Sequence, residues 1–251
     1  MGTKRLRIFA GPNGSGKSEL YNYLLSQQFF HLYVYINADD IAKGLADGYS
    51  FANWPVSICA SDFFSYVEKS SFSKLIKLEE LKASLTITDS MFIWNGGKEG
   101  MTYISACIAD YMRGKLLCAS SSFACETVFS HPSKIDFIKR AKENGFKVYL
   151  YFIATRDPLI NQGRVENRAR GGGHDVPADK IVSRYYRCLD NLYAAVCLCD
   201  KTFLFDNSES KTDFTYNNFA EVIDGSCRII SGSVPEWFVT SIYNKLPQAE
   251  A

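Results

Sequence analysis

Residues 11–18 read GPNGSGKS: two glycines with four residues between them, then Lys17 and Ser18. Glycine lets a backbone curl until successive N–H groups converge on one point, and such a point holds an anion. Gly11, Pro12, Asn13, Gly14, Ser15, Gly16, Lys17 and Ser18 are therefore expected to cradle the phosphates of a nucleotide. A lysine in this place reaches the β- and γ-phosphates, and a serine hydroxyl beside it binds Mg²⁺. A helix opening near Lys17 adds the positive end of its dipole. ATP or GTP, with Mg²⁺, is the cofactor set this spacing implies.

Three other stretches supply groups that could act on such a phosphate. NADD places Asn37, Asp39 and Asp40 at the end of a second apolar run. A carboxylate there can take the proton of an acceptor hydroxyl; either aspartate can equally cap the helix that follows. FACETVF ends a further run with Glu126 and Thr127, an acid and a hydroxyl placed to hold a metal-bound water or orient a substrate. Beyond it Ser130 reads as a helix N-cap, and His131 is given no chemistry. GRVENRARGGGHDVP carries Arg164, Arg168 and Arg170 ahead of three glycines. Arg164 and Arg168, four apart, share a helix face. Guanidinium groups closing over a transferring phosphoryl neutralise the charge that develops there, and Gly171–Gly173 suit a hinge. A solvated basic helix end is the alternative. Arg184 and Arg187 on the next helix either reach the same phosphates or face solvent. His174-Asp175 reads as a turn before Pro177.

The elements that must position these groups alternate. Strands are expected at Arg5–Ala10, Leu32–Ile36, Ser121–Cys125, Lys147–Ala154 and Thr202–Phe205. Helices are expected at Lys17–Ser26, Asp40–Asp47, Thr102–Arg113, Ser133–Asn144, Pro158–Arg168 and Ala178–Ala195. Alternation of this kind gives an α/β chain: a P-loop NTPase-type three-layer fold with a mostly parallel sheet. The reading is one domain over 1–251. An insertion near 53–100 holds a helix and a small β element. An extension from about 207 to 251 holds one short strand and a final helix opened by Pro235.

Composition narrows the function. Of 251 residues 47% are apolar and 14% aromatic, enough for a sizeable core. The formal net charge of +1 gives no basic field, which argues against a grip on long nucleic acid. The eight cysteines lie among apolar neighbours without a CxxC pair and read mostly as buried free thiols of a reducing compartment. There is no apolar run of membrane-spanning length, so a cytoplasmic chain is expected, with no membrane partner.

Four segments in order, GPNGSGKS, NADDIA, FACETVFSHPSKIDFIKRAKENGFKVYLYFIATRDP and GRVENRARGGGHDVPADKIVSRYYRCLDNL, resemble the zeta-toxin-like P-loop kinases. RGGGHDVP followed by RYYRCLDNL is the most specific part. The resemblance implies phosphorylation of a nucleotide sugar, UDP-N-acetylglucosamine in that family, from ATP or GTP and Mg²⁺. It implies that Asp39 is the catalytic base, that Glu126 and Thr127 meet the acceptor, and that the lid arginines lie among Arg164, Arg168 and Arg170; Asn37 and Asp39, at their strand end, are expected to meet the acceptor too. It also implies an antitoxin or other protein partner. The 53–100 insertion departs from the family pattern. The sequence thus predicts a kinase of a small hydroxylated acceptor; a polynucleotide end kinase and a non-catalytic nucleotide-binding module are the alternatives.

Overall fold

The computed structural model describes residues 3–30, 34–97, 100–173, 175–209, 218–231 and 233–246. The chain divides into two compact units, Met1–Leu32 with Ala124–Ala251, and Tyr33–Phe123.

The first unit holds the phosphate-loop half. In chain order the elements are β1 (Arg5–Ala10) and α1 (Lys17–Ser26), then, in the second unit, β2 (Tyr35–Ile36), α2 (Ala38–Gly44), β3 (Tyr49–Ser50), α3 (Ala60–Lys69), α4 (Leu78–Ser84), β4 (Leu85–Ile87), β5 (Met91–Trp94) and α5 (Met101–Cys118). There follow β6 (Phe123–Thr127), α6 (Ser133–Glu143), β7 (Lys147–Ala154), α7 (Pro158–Arg170), α8 (Ala178–Leu198), β8 (Lys201–Asp206), β9 (Asn218–Ile223), β10 (Ser226–Ile229) and α9 (Glu236–Ser241).

The sheet of the first unit runs β10-β9-β8-β7-β1-β6. β1 pairs with β7 and β7 with β8 in parallel, while β9 and β10 run antiparallel. The pleat sends alternate residues to opposite faces, and both faces are covered. On one, Phe9, Tyr151 and Phe203 stand in register across three strands and stack at 4.7 and 4.8 Å between ring centroids. Tyr21 of α1 meets Phe9 edge-on at 5.2 Å. On the other face Phe152 meets Trp237 of α9 at 5.8 Å. The Trp237 indole also donates to Asp206 Oδ2 at 2.7 Å, so the C-terminal helix is fastened to the end of β8. The expected α/β fold is the fold found.

The second unit builds a small antiparallel sheet, β3-β5-β4. Phe63 of α3 packs against Phe92 of β5 and Tyr111 of α5 at 5.6 and 5.1 Å. The insertion thus holds the expected small β element, the β4–β5 hairpin, and two α-helices where one was expected.

Several boundaries differ from expectation. The second strand is Tyr35–Ile36, and the earlier residues 32 and 33 of the predicted run lie outside the described residues. α2 begins at Ala38 and is capped by Asn37, whose side chain accepts from the Asp39 amide at 2.9 Å, so neither Asp39 nor Asp40 is the cap. α6 opens at Ser133, not behind Ser130; the His131 ring nitrogen takes the Ser133 amide at 3.2 Å. The tail forms two strands, because Asp224-Gly225, both at positive φ, closes a β9–β10 hairpin. The cysteines are free, and four of them (Cys107, Cys125, Cys188, Cys199) are buried, but Cys59, Cys118 and Cys197 are exposed, against the expectation of a mostly buried set.

Candidate active site

β1 ends at Ala10 beneath the glycine loop, and Lys17 and Ser18 begin α1 on its far side. The loop is held tightly. Gly14 sits at φ +72, and a Cβ there would lie 2.6 Å from the Asn161 carbonyl oxygen, so only glycine fits between this turn and α7. Ser15 is fully buried, and its hydroxyl has no hydrogen-bond partner among the described residues. A buried, unanswered hydroxyl in a loop of this shape suits a phosphate oxygen.

Three of the expected groups meet here. Lys17 is 6% exposed; its ammonium donates to the Pro12 carbonyl at 2.8 Å and lies 3.9 Å from Glu126 Oε1. The Ser18 hydroxyl donates to Glu126 Oε2 at 2.7 Å. Glu126 and Thr127 are the last two residues of β6, inside the strand rather than beyond it. Thr127 is half-buried, with its hydroxyl 3.4 Å from the Val128 carbonyl. Burial pushes the Cys188 thiol of α8 up to about 12, against the lowering influence of the Lys17, Arg184 and Arg187 charges.

Ser18 and Glu126 offer one hydroxyl and one carboxylate, the hard oxygen donors that Mg²⁺ takes when phosphates complete its shell. Among the described residues there is no cluster of three or more His, Cys, Asp or Glu to hold a metal unaided. The donor set therefore fits a metal brought with a nucleotide.

The arginine segment is a helix with a fixed end. Asp157 caps α7, accepting the Leu159 amide at 2.8 Å. Arg164 is half-buried, and its Nη1 is enclosed without a partner among the described residues, while Arg168 and Arg170 are exposed. The amides of Gly171, Gly172 and Gly173 all return to carbonyls of the last turn of α7. Val176 then packs with Val165 and Ile181, so the glycine turn is short and anchored on its far side. His174 lies outside the described residues. Arg184 of α8 reaches the Asn13 side chain at 3.4 Å, and Arg187 turns back to the Ser183 carbonyl.

Asn37 and Asp39 belong to the second unit. Asn37 is buried at the start of α2, and Asp39 lies half-buried in its first turn.

Sequence reasoning missed the groups that hold the loop from behind. Asn161, buried in α7, donates to the Asn13 carbonyl at 2.5 Å and accepts from the Thr155 hydroxyl. Asn207, just past β8, donates to the Ser15 carbonyl at 2.9 Å. The available signal was weak: a polar residue one turn into α7, and an amide next to a strand end.

No protein-family model matches the chain. A 63-residue stretch is 40% identical to an uncharacterised protein of Haemophilus influenzae, covering 25% of this chain and 45% of that one. Among solved structures the AvrRxo1-ORF1:AvrRxo1-ORF2 complex with sulphate ions aligns over 99% of this chain and 66% of its own, with a TM-score of 0.58 at 17% identity. The same complex with ATP aligns over 91% and 61%, with a TM-score of 0.54 at 18% identity. This chain therefore spans less than half of the curated relative and under two thirds of the solved neighbours. The likeness to these solved neighbours is one of fold: an α/β chain built on a mostly parallel sheet, as expected.

Proposed function

We propose that this chain is a kinase that moves the γ-phosphoryl of ATP or GTP, with Mg²⁺, to a hydroxyl of a small acceptor of the nucleotide-sugar class. The observation that carries the reading is the meeting of Lys17, Ser18 and Glu126 at the mouth of the glycine loop. A plain glycine turn needs no buried ammonium beside a carboxylate, since burying charge is costly unless it has work or a partner. The loop amides and Lys17 hold the β- and γ-phosphates. Ser18 and Glu126 would hold Mg²⁺, which when bound would draw charge off the phosphate oxygens. By the sequence resemblance, Asp39 takes the proton of the acceptor hydroxyl. Thr127 and Asn37 orient the acceptor. Arg164, with its enclosed guanidinium edge, and Arg168 and Arg170 beyond it, neutralise the phosphoryl in transfer.

The ATP in one solved neighbour supports a nucleoside triphosphate here, and that neighbour's two-part complex supports a protein partner, of antitoxin type by the sequence resemblance. Free cysteines suit the cytoplasm, and no described helix is long and apolar enough to cross a membrane.

The test is transfer from γ-labelled ATP to a panel of nucleotide sugars, nucleosides and oligonucleotides, wild type beside Asp39→Asn. Label is expected on a nucleotide sugar, with the variant binding ATP normally and transferring at least about a hundredfold more slowly. Full transfer by Asp39→Asn returns Asp39 to a first-turn helix acid. Label on an oligonucleotide end makes the chain a polynucleotide kinase, and ATP binding without transfer makes it a regulatory module.

A further inference from the structure

The phosphate loop is tied back by two side-chain amides from outside it. Asn161 Nδ2 donates to the Asn13 carbonyl at 2.5 Å, and Asn207 Nδ2 donates to the Ser15 carbonyl at 2.9 Å. A trans peptide plane carries the C=O of one residue and the N–H of the next pointing opposite ways, and there is no cis bond among the described residues. Pulling the Asn13 carbonyl towards α7 therefore turns the Gly14 N–H away from α7. Pulling the Ser15 carbonyl towards the end of β8 turns the Gly16 N–H away from it. Two of the loop amides, those of Gly14 and Gly16, are thus each aimed by a specific side chain on another element.

The anchors are themselves fixed. Asn161 is fully buried, and its other amide atom accepts from Thr155, which is also fully buried. The Thr155 carbonyl in turn takes the Tyr185 hydroxyl of α8 at 2.5 Å. The absent Cβ of Gly14 leaves that turn in contact with the backbone of Asn161. An amide side chain is buried this deeply at a cost unless its hydrogen bonds are met, and here donor and acceptor are both used.

We propose that Asn161 and Asn207 are positioning residues for polyphosphate binding: Asn161 aims the Gly14 amide and Asn207 aims the Gly16 amide. The proposal rests on the nucleotide-binding reading above. It makes the two anchors separable, because each controls one peptide plane.

The experiment titrates inorganic tripolyphosphate into ¹⁵N-labelled wild type, Asn207→Ala and Asn161→Leu. It follows the Gly14 and Gly16 amide resonances, with calorimetric affinity and melting temperature alongside. In the wild type both glycines shift strongly. In Asn207→Ala the Gly16 response is lost while Gly14 still responds, and affinity falls about tenfold, the equivalent of one lost hydrogen bond to a charged group. Asn161→Leu reverses the pattern. A folded Asn207→Ala in which both glycines respond as in the wild type, at wild-type affinity, overturns the proposal; Asn207 is half-exposed, so this variant decides the matter even where Asn161→Leu fails to fold. A wild type that binds neither tripolyphosphate nor ATP overturns the nucleotide reading as well, so the two failures are told apart by the wild-type titration.

Discussion

Glu126→Gln isolates the charge of the carboxylate that meets Lys17 and Ser18. Glutamine keeps the shape and an oxygen that accepts the Ser18 hydroxyl, now 2.7 Å from Glu126 Oε2. What it removes is the charge 3.9 Å from the Lys17 ammonium. At an effective dielectric of about 20 that separation corresponds to a gross attraction of about 4 kcal/mol. Both side chains are largely buried, 6% and 11% exposed, so much of the attraction offsets their desolvation. Lys17 also keeps the Pro12 carbonyl at 2.8 Å. The net change in stability is expected to stay within about 2 kcal/mol. The loss should instead appear with the metal, since Mg²⁺ is held by few protein carboxylates. ATP affinity is measured by calorimetry with and without Mg²⁺, and unfolding by urea. Affinity without Mg²⁺ should be near wild type or slightly better, while the gain on adding Mg²⁺ should shrink by at least about tenfold, or 1.4 kcal/mol. A wild-type Mg²⁺ increment in the variant refutes the assignment of Glu126.

Two further predictions concern the scaffold. Asp200 joins Lys142, Lys147 and the Val148 amide at 2.5, 2.9 and 2.8 Å. Burial opposes its ionisation, but these hydrogen bonds outweigh burial and hold the carboxyl below its usual range. A depressed folded pKa stabilises fully above the unfolded value of about 3.9 and is lost as pH falls through the folded one. The melting-temperature gap between wild type and Asp200→Asn should therefore be full at pH 7 and close below about pH 4; a gap independent of pH contradicts the ion cluster. Trp237→Ala should cost about 3–5 kcal/mol in urea unfolding, because the side chain packs on Phe152, Phe219 and Phe238 and binds Asp206. A loss under about 1 kcal/mol would mean that α9 is only loosely attached.

What was legible in the sequence follows from how local each signal is. β1, β7 and α1 were read to the residue because a continuous apolar run and a glycine loop mark their ends. The Lys17, Ser18 and Glu126 meeting was foreseeable in kind: strand ends in such sheets converge on the ligand. The start of α2 was misplaced because Asn37, Asp39 and Asp40, three good caps within four residues, compete, and only the backbone decides among them. The β9–β10 hairpin was missed although Asp224-Gly225 is a strong turn signal, because β9 follows the unpatterned residues 207–217. The backing of the loop by Asn161 and Asn207 joins residues 148 and 192 positions apart, and no local pattern reports such pairs.

The most direct measurement of the central claim is label transfer from γ-labelled ATP with Mg²⁺ to the acceptor panel, wild type beside Lys17→Ala, with both shown folded by their melting curves. Lys17 lies inside the loop, and its removal takes away the charge that meets the β- and γ-phosphates. The wild type is expected to transfer label, and the variant to lose at least about a thousandfold. Transfer at the wild-type rate by Lys17→Ala would contradict the kinase reading.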